Sequence, residues 1–191
     1  MKTGLYFGSF NPVHIGHMAV ANYMLEFSDL NEIWFVVSPH NPLKEHSGLL
    51  PEYHRLELVN RAIGDQPGYK SSNIEFKMPK PSFTIDTLIY LEDKYPKNKF
   101  VLVMGTDNFP SFHKWKNYEI LLENYEFYVY PRPGYEMDNY LKYNNIKQFD
   151  APLMNISASF VRDCIKAGKD MRYFVPETVY QYIKEMNFYK K

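Results

Sequence analysis

The apolar run Leu5-Tyr6-Phe7 passes directly into Gly8-Ser9-Phe10-Asn11-Pro12-Val13-His14-Ile15-Gly16-His17, an order of residues that leaves the chain few ways to begin. It reads as a strand, a tight glycine turn and the start of a helix. A glycine lets backbone N–H groups approach an anion closely, and a helix opening between Pro12 and Gly16 adds unpaired N–H groups and the positive end of its dipole. The segment is therefore expected to hold a polyphosphate. His14 and His17 are three residues apart, which places their Cβ atoms about 5–6 Å apart on one face if helical geometry holds there. As zinc ligands they would need a third and a fourth partner, and the only cysteine, Cys164, falls far away in a candidate helix, which sets a metallohydrolase aside.

Strands and helices alternate along the rest of the chain. After a strand at about 3–8, residues 16–27 show an amphipathic helix pattern that Ser28-Asp29-Leu30-Asn31 breaks. The almost uniformly apolar Glu32-Ile33-Trp34-Phe35-Val36-Val37-Ser38 suits a strand buried on both faces of a parallel sheet, and Lys99-Phe100-Val101-Leu102-Val103-Met104-Gly105 repeats it. Helices are expected at 51–63, 82–95, 118–123, 157–167 and 176–186, and further strands at 73–77 and 126–130. This alternation implies right-handed crossovers and an α/β, Rossmann-like doubly wound parallel sheet with helices on both faces, its sites at the carboxyl ends of the strands. Without repeats or linkers, residues 1–191 read as a single domain, with a helical C-terminal part from about 155.

Composition narrows the partners. Lys plus Arg and Asp plus Glu number 22 each, so no net basic field attracts a nucleic acid polymer, and a nucleotide partner is expected to be a small molecule. One cysteine allows no intramolecular disulfide, and Cys164 reads as a buried inert thiol. The chain shows neither a signal-peptide pattern nor about 18 consecutive apolar residues, so a cytoplasmic protein without a membrane partner is expected. The sequence leaves a homo-oligomer open, and it leaves open the role of the tyrosine-rich stretch 135–149, readable as a surface excursion packed on the core.

The pattern from Gly8 to His17 resembles the signature of the nucleotidylyltransferase superfamily, Gly-(Ser/Thr)-Phe-(Asp/Asn)-Pro-x-His-x-Gly-His. Many members carry a further glycine where this chain has Phe7. The resemblance implies transfer of a nucleoside monophosphate from a nucleoside triphosphate, with Gly8, Ser9, Phe10, His14 and His17 in contact with ATP. Ile156-Ser157-Ala158-Ser159-Phe160-Val161-Arg162 is similar to the superfamily's C-terminal Ile-Ser-Ser-Thr-x-(Ile/Val)-Arg, with Ala158 at a position usually serine. It implies that Ser157, Ser159 and Arg162 bind the β- and γ-phosphates. Gly105-Thr106-Asp107 matches Gly-x-Asp, which places Gly105 and Asp107 beside the nucleotide ribose, although an Asp just past a strand is as often a helix cap.

Three further segments are similar to the pyridine-mononucleotide branch, the nicotinate-nucleotide adenylyltransferases. In Pro39-His40-Asn41-Pro42-Leu43-Lys44 the branch's lysine helps to hold phosphate charge, which points to Lys44 as both catalytic and substrate-binding. Ser82-Phe83-Thr84-Ile85-Asp86-Thr87-Leu88 reads as a capping segment, with Ser, Thr and Asp competing for the cap, and also resembles the part that recognises nicotinate, with Thr84 as the contact. Lys114-Trp115 corresponds to the branch's Lys/Arg-Trp, and the Trp115 indole offers a flat face for a pyridine ring, or simply core packing. Arg132, in the turn Arg132-Pro133-Gly134, joins the substrate-binding set. Arg55 either assists or pairs with Glu52 or Glu57, and stays outside the catalytic set.

The implied reaction joins nicotinate mononucleotide to the AMP of ATP. The acceptor phosphate is its own nucleophile, so no serine, cysteine or carboxylate base is required, and catalysis consists of positioning and charge stabilisation by His14, His17, Lys44 and Arg162, with Mg²⁺ carried on the triphosphate. Nicotinamide mononucleotide or pantetheine phosphate as acceptor, a cytidylyltransferase, and a non-catalytic nucleotide-binding module are the alternatives.

Overall fold

The computed structural model describes residues 1–39 and 48–190. Six strands, β1 (Lys2–Gly8), β2 (Glu32–Val37), β3 (Tyr69–Ser72), β4 (Lys99–Gly105), β5 (Glu126–Tyr130) and β6 (Ile146–Gln148), form one sheet in the order β3-β2-β1-β4-β5-β6. Every pairing is parallel, and Tyr6 of β1 lies level with Phe35 of β2 on one side and Val103 of β4 on the other. The described residues also form α1 (Ile15–Phe27), α2 (Glu52–Ile63), α3 (Thr84–Lys94), α4 (Phe109–Phe112), α5 (Tyr118–Asn124), α6 (Ala158–Lys166) and α7 (Glu177–Glu185). No helix among them is long and apolar enough to cross a membrane.

The two-residue period of the strands divides the core into two layers. Tyr6, Phe35, Val37, Val101 and Val103 pack on Met24, Leu58, Val59, Val161 and Val179 from α1, α2, α6 and α7. Leu5, Trp34, Val36, Leu102 and Met104 face the opposite way, onto Leu88, Phe112 and Leu121 from α3, α4 and α5. Covered on both sides, all of β2 is buried, as its unbroken apolar run requires. The strand order reverses between β1 and β4, and this switch point opens the crevice in which a doubly wound sheet carries its ligand.

Two elements differ from the sequence expectation. The strand expected at 73–77 is a 3₁₀ turn, Ile74–Lys77, and the edge strand is the more polar Tyr69–Ser72 just before it. Ile74 and Phe76 alternate like strand residues, but the turn sends Phe76 into the core and buries Glu75 against the Thr87 hydroxyl, which donates to it at 2.8 Å. The stretch 135–149 does more than skirt the surface. It ends in β6, and Tyr140 packs on Phe109 with ring centroids 4.5 Å apart. Cys164 is half-buried rather than buried.

An ionic cluster closes the amino-terminal end of the sheet. Lys2 donates to Asp29 at 2.8 Å, Glu126 at 2.9 Å and Tyr128 at 2.7 Å, and Lys99 and Lys147 also pair with Glu126. Asp29 is held down to about 2, first by Lys2 and then by Tyr128. Burial alone would raise Glu126, but Lys99 and Lys2 outweigh it and bring the carboxyl to about 2. Both folded values lie below the unfolded ones, so this stabilisation is present above about pH 4 and is lost as pH falls toward 2. Lys2→Met is expected to move the midpoint of acid unfolding, followed by circular dichroism, to higher pH. An unmoved midpoint would show that the cluster contributes no net stability.

Candidate active site

The loop after β1 folds back over its own strand. Phe10, at φ +45° and 1% exposed, lays its ring over Gly8, where an added Cβ would lie 2.8 Å from the ring. The Phe10 ring thus demands a glycine at position 8. Asn11 then acts through both polar atoms of its side chain and through its backbone carbonyl. Its Nδ2 donates to the Gly48 carbonyl at 2.9 Å, its Oδ1 accepts from the Leu50 N–H at 3.2 Å, and its backbone carbonyl accepts from Arg162 Nη1 at 2.8 Å. In this way α6, from the far end of the chain, is brought against the glycine loop.

Helix α1 begins at Ile15, with His14 as its cap residue. A helix start leaves N–H groups without intrahelical partners, but here three are taken. His14 N–H donates to His17 Nδ1 at 3.2 Å, Ile15 N–H to the Phe174 carbonyl at 3.0 Å, and His17 N–H to the His14 carbonyl at 2.9 Å. The expected row of open amides is therefore largely absent, and the imidazoles take its place. They stack with centroids 3.6 Å apart and planes at 28°, while Phe10 and Tyr6 meet the His17 ring edge-on. Because His17 Nδ1 accepts a hydrogen bond, the neutral ring carries its proton on Nε2.

His14 is 4% exposed, and among the described residues its Nδ1 has no hydrogen-bond partner. Burial first, and the Arg132 cation second, lower it to about 4, so without ligand it is neutral at pH 7. A buried polar atom left open in this way calls for a partner that the described residues do not supply. Arg132 approaches from beyond β5. Its Nη1 donates to the Met154 carbonyl at 3.2 Å, and its backbone N–H donates to Thr106 Oγ1 at 2.8 Å.

Across the switch point, β4 ends at Gly105 and passes into a 3₁₀ turn, Thr106–Asn108. Asp107 is not a helix cap. Its carboxylate is 40% exposed and lies 4.0 Å from Arg132 Nε. Gly105 has no room for a side chain, since a Cβ would collide with Asp107 Oδ1 and lie 2.8 Å from Arg132 Cγ and 3.0 Å from the Tyr130 ring. Gly105→Ala must displace the Asp107 and Arg132 side chains and press on the Tyr130 ring, and it is expected to weaken Mg-ATP binding at least tenfold in titration calorimetry while the protein stays folded. Undiminished affinity would remove this edge from the nucleotide site.

A cavity of about 50 Å³ opens at the ends of β1 and β4, lined by Phe7, Met104, Asn108, Trp115 and Tyr130 among others. Trp115 is half-buried, its ring 5.1 Å from Phe112, so it packs on the core and lines this space at once. Thr84 is the first residue of α3, whose cap position, Phe83, supplies no side-chain hydrogen bond. The expected competition among Ser, Thr and Asp for that cap does not occur: Asp86 accepts from Lys116 at 2.9 Å, and Thr87, one turn in, donates to Glu75 and to the Phe83 carbonyl. Burial raises the buried Glu75 carboxyl, against which the hydroxyls of Thr87, Ser38 and Ser82 act.

At the start of α6 the Ser157 hydroxyl caps the helix, accepting from Phe160 N–H at 3.1 Å, and lies 3.0 Å from Ser159 Oγ. Arg55 pairs with neither Glu52, which holds Lys80, nor Glu57, which holds Arg61. It is fully buried and donates to four backbone carbonyls, those of Leu50, Ser9, Ser38 and Pro39, at 2.7–2.9 Å. Lys44 lies outside the described residues. Among those residues no three His, Cys, Asp or Glu side chains gather as a ligand set.

A family model described as cytidylyltransferase-like matches residues 5–164. A Flavobacterium psychrophilum protein named "Probable nicotinate-nucleotide adenylyltransferase" is 51% identical over the full length of both chains. One of the same name from Cytophaga hutchinsonii is 46% identical, covering 99% of this chain and 98% of its own. In fold, the chain resembles Plasmodium falciparum nicotinic acid mononucleotide adenylyltransferase complexed with NaAD, at a TM-score of 0.85 and 20% identity, over 99% of this chain and 97% of that one. With near-half identity to these relatives from end to end and a family model that matches most of its length, the chain belongs to the cytidylyltransferase-like family, among its nicotinate-nucleotide adenylyltransferases.

Proposed function

We infer that the protein transfers the AMP portion of ATP to nicotinate mononucleotide, giving deamido-NAD and pyrophosphate in NAD biosynthesis. The observation that carries this reading is the stacked pair His14 and His17 at the head of α1, facing the same loop to which Asn11 ties Arg162. Attack of the acceptor's 5′-phosphate on the α-phosphorus brings two anions together and expels a third. What the protein must supply is orientation and positive charge.

His17 donates from Nε2 to an oxygen on the α-phosphorus as charge builds there. His14, whose pKa burial and Arg132 lower, gains basicity when the triphosphate brings its negative charge alongside. Arg162 and the hydroxyl of Ser159 hold the β- and γ-phosphates, with Ser157 fixing the start of α6, and Lys44 adds charge from its loop. Gly105 and Asp107 take the ribose, with Ser9 and Phe10 shaping the floor beside Gly8. The acceptor lies with its ring against Trp115, its carboxylate toward Thr84 and its phosphate toward Arg132. Mg²⁺ enters as part of the Mg-ATP substrate. We treat residues 1–191 as one such domain acting in the cytoplasm on small molecules, its zero net charge offering nothing to a nucleic acid polymer or an anionic membrane.

The test is pyrophosphate release from Mg-ATP with nicotinate mononucleotide, nicotinamide mononucleotide and pantetheine phosphate in parallel. A strong preference for nicotinate mononucleotide is expected. Preference for another acceptor would overturn the roles of Thr84 and Trp115, and no turnover with any acceptor would overturn the enzyme itself.

A further inference from the structure

The end of the chain reaches the signature loop. After α7, the chain turns through two left-handed residues, Asn187 at φ +53° and Tyr189 at φ +64°. Neither is a glycine, and L-residues pay for such backbone, so the surrounding contacts must hold it in place. Phe188 supplies the anchor. It is buried with its ring 4.9 Å from His54 of α2 and 5.5 Å from Tyr182 of α7, and its N–H donates to the Ile183 carbonyl at 3.0 Å. His54 Nδ1 and the Tyr182 hydroxyl lie 3.0 Å apart and fasten α2 to α7 beside it.

So anchored, the tail delivers the Tyr189 hydroxyl to Asn11 Oδ1 at 2.9 Å, across 178 residues of sequence. Asn11 is 3% exposed, and that oxygen also accepts the Leu50 N–H. Two donors on one oxygen fix the plane of the carboxamide, and with it the residue whose backbone carbonyl receives Arg162. Burial raises Tyr189 well above the ordinary phenol value, although the cations of Arg162 and Arg55 pull the other way, so the hydroxyl stays protonated and donates.

We propose that Tyr189 is a positioning residue for the triphosphate side of the site: its hydroxyl locks the Asn11 carboxamide, and through the Asn11 backbone it sets where Arg162 meets the phosphates of ATP. The proposal rests on the reading of Arg162 as a phosphate contact and is independent of which acceptor is used. Tyr189→Phe removes one oxygen and leaves the packed ring.

The full-length protein and Tyr189→Phe are compared by titration calorimetry with a magnesium-bound, non-hydrolysable ATP analogue and with nicotinate mononucleotide, by steady-state kinetics with both substrates, and by thermal unfolding. Expected is about a tenfold loss in analogue affinity and in kcat/KM for ATP, with nicotinate mononucleotide affinity within about twofold and Tm within about 2 °C. In an Asn11→Ala background, or Asn11→Ser if that variant does not fold, Tyr189→Phe should add less than twofold. Unchanged analogue affinity overturns the proposal. So does an equal loss for both substrates that follows a fall in Tm, or full additivity with the Asn11 change. A wild-type protein that binds the analogue without turning over nicotinate mononucleotide defeats the acceptor reading alone, since the calorimetric comparison still decides the role of Tyr189.

Discussion

His17→Ala is expected to lower kcat by about a thousandfold while leaving Tm within a few degrees of wild type. Removing a preorganised donor from developing oxyanion charge costs about 10²–10³ in rate, and the imidazole also braces its neighbour. His17 Nδ1 is the acceptor for the His14 N–H, and the His17 ring is stacked on that of His14. Its deletion therefore withdraws the Nε2 donor, loosens His14 and leaves the His14 N–H unpaired at the head of α1. The fold should tolerate this, because α1 is anchored by Val20, Ala21 and Met24 in the core. His17→Asn separates the two contributions: a side-chain oxygen can accept from the His14 N–H, whereas the donor reach is shortened. Pre-steady-state pyrophosphate release with saturating Mg-ATP is the measurement, since it isolates the chemical step from product release. A variant within tenfold of wild type would mean that the charge is met elsewhere and that the pair serves to cap the helix.

What was legible in the sequence divides along local and non-local lines. Strands β1, β2 and β4 announce themselves because burial on both faces forces an unbroken apolar run. Strands β3 and β6 lie at the two edges of the sheet and are polar and short; they belong to it through backbone pairing, which leaves little trace in side-chain pattern. The signature loop was legible as a motif, whereas the packing that shapes it was not. Gly8 makes room for Phe10, and the helix-start amides are satisfied within the protein. Glu75 looked like part of a strand and is instead a buried carboxylate held by Thr87 twelve residues later. Tyr189 and Arg55 carry no local signal, because a tyrosine near a chain end and an arginine on an amphipathic helix look like many others. Only the fold brings Tyr189 to Asn11, or Arg55 to Ser9 at a separation of 46 residues.

Replacing Arg55 is expected to cause the largest stability loss of any single change at this site. The guanidinium has no exposed surface, and it bonds the carbonyls of Ser9 behind β1, Ser38 and Pro39 behind β2, and Leu50 ahead of α2. Burial disfavours its charge and lowers its pKa from the ordinary arginine value, while Glu52 and Tyr189 act in the opposite direction. The four carbonyls are what compensate a cation to which no carboxylate among the described residues is hydrogen-bonded. Arg55→Met fills much of the volume but strands those oxygens away from water. Breaking such a network costs about 3–5 kcal/mol, which for a chain of this length lowers Tm by roughly 10 °C. Arg55→Lys should recover little, because a single ammonium cannot reproduce a planar fork that meets carbonyls in several directions at once. Thermal unfolding of the three proteins decides the matter, and a Tm for Arg55→Met within about 2 °C of wild type would show that water enters and satisfies the carbonyls. Since Ser9 and Ser38 flank the crevice, the same replacement should raise KM for ATP even well below the unfolding temperature, which separates disorder of the loop behind β1 from global loss of the fold.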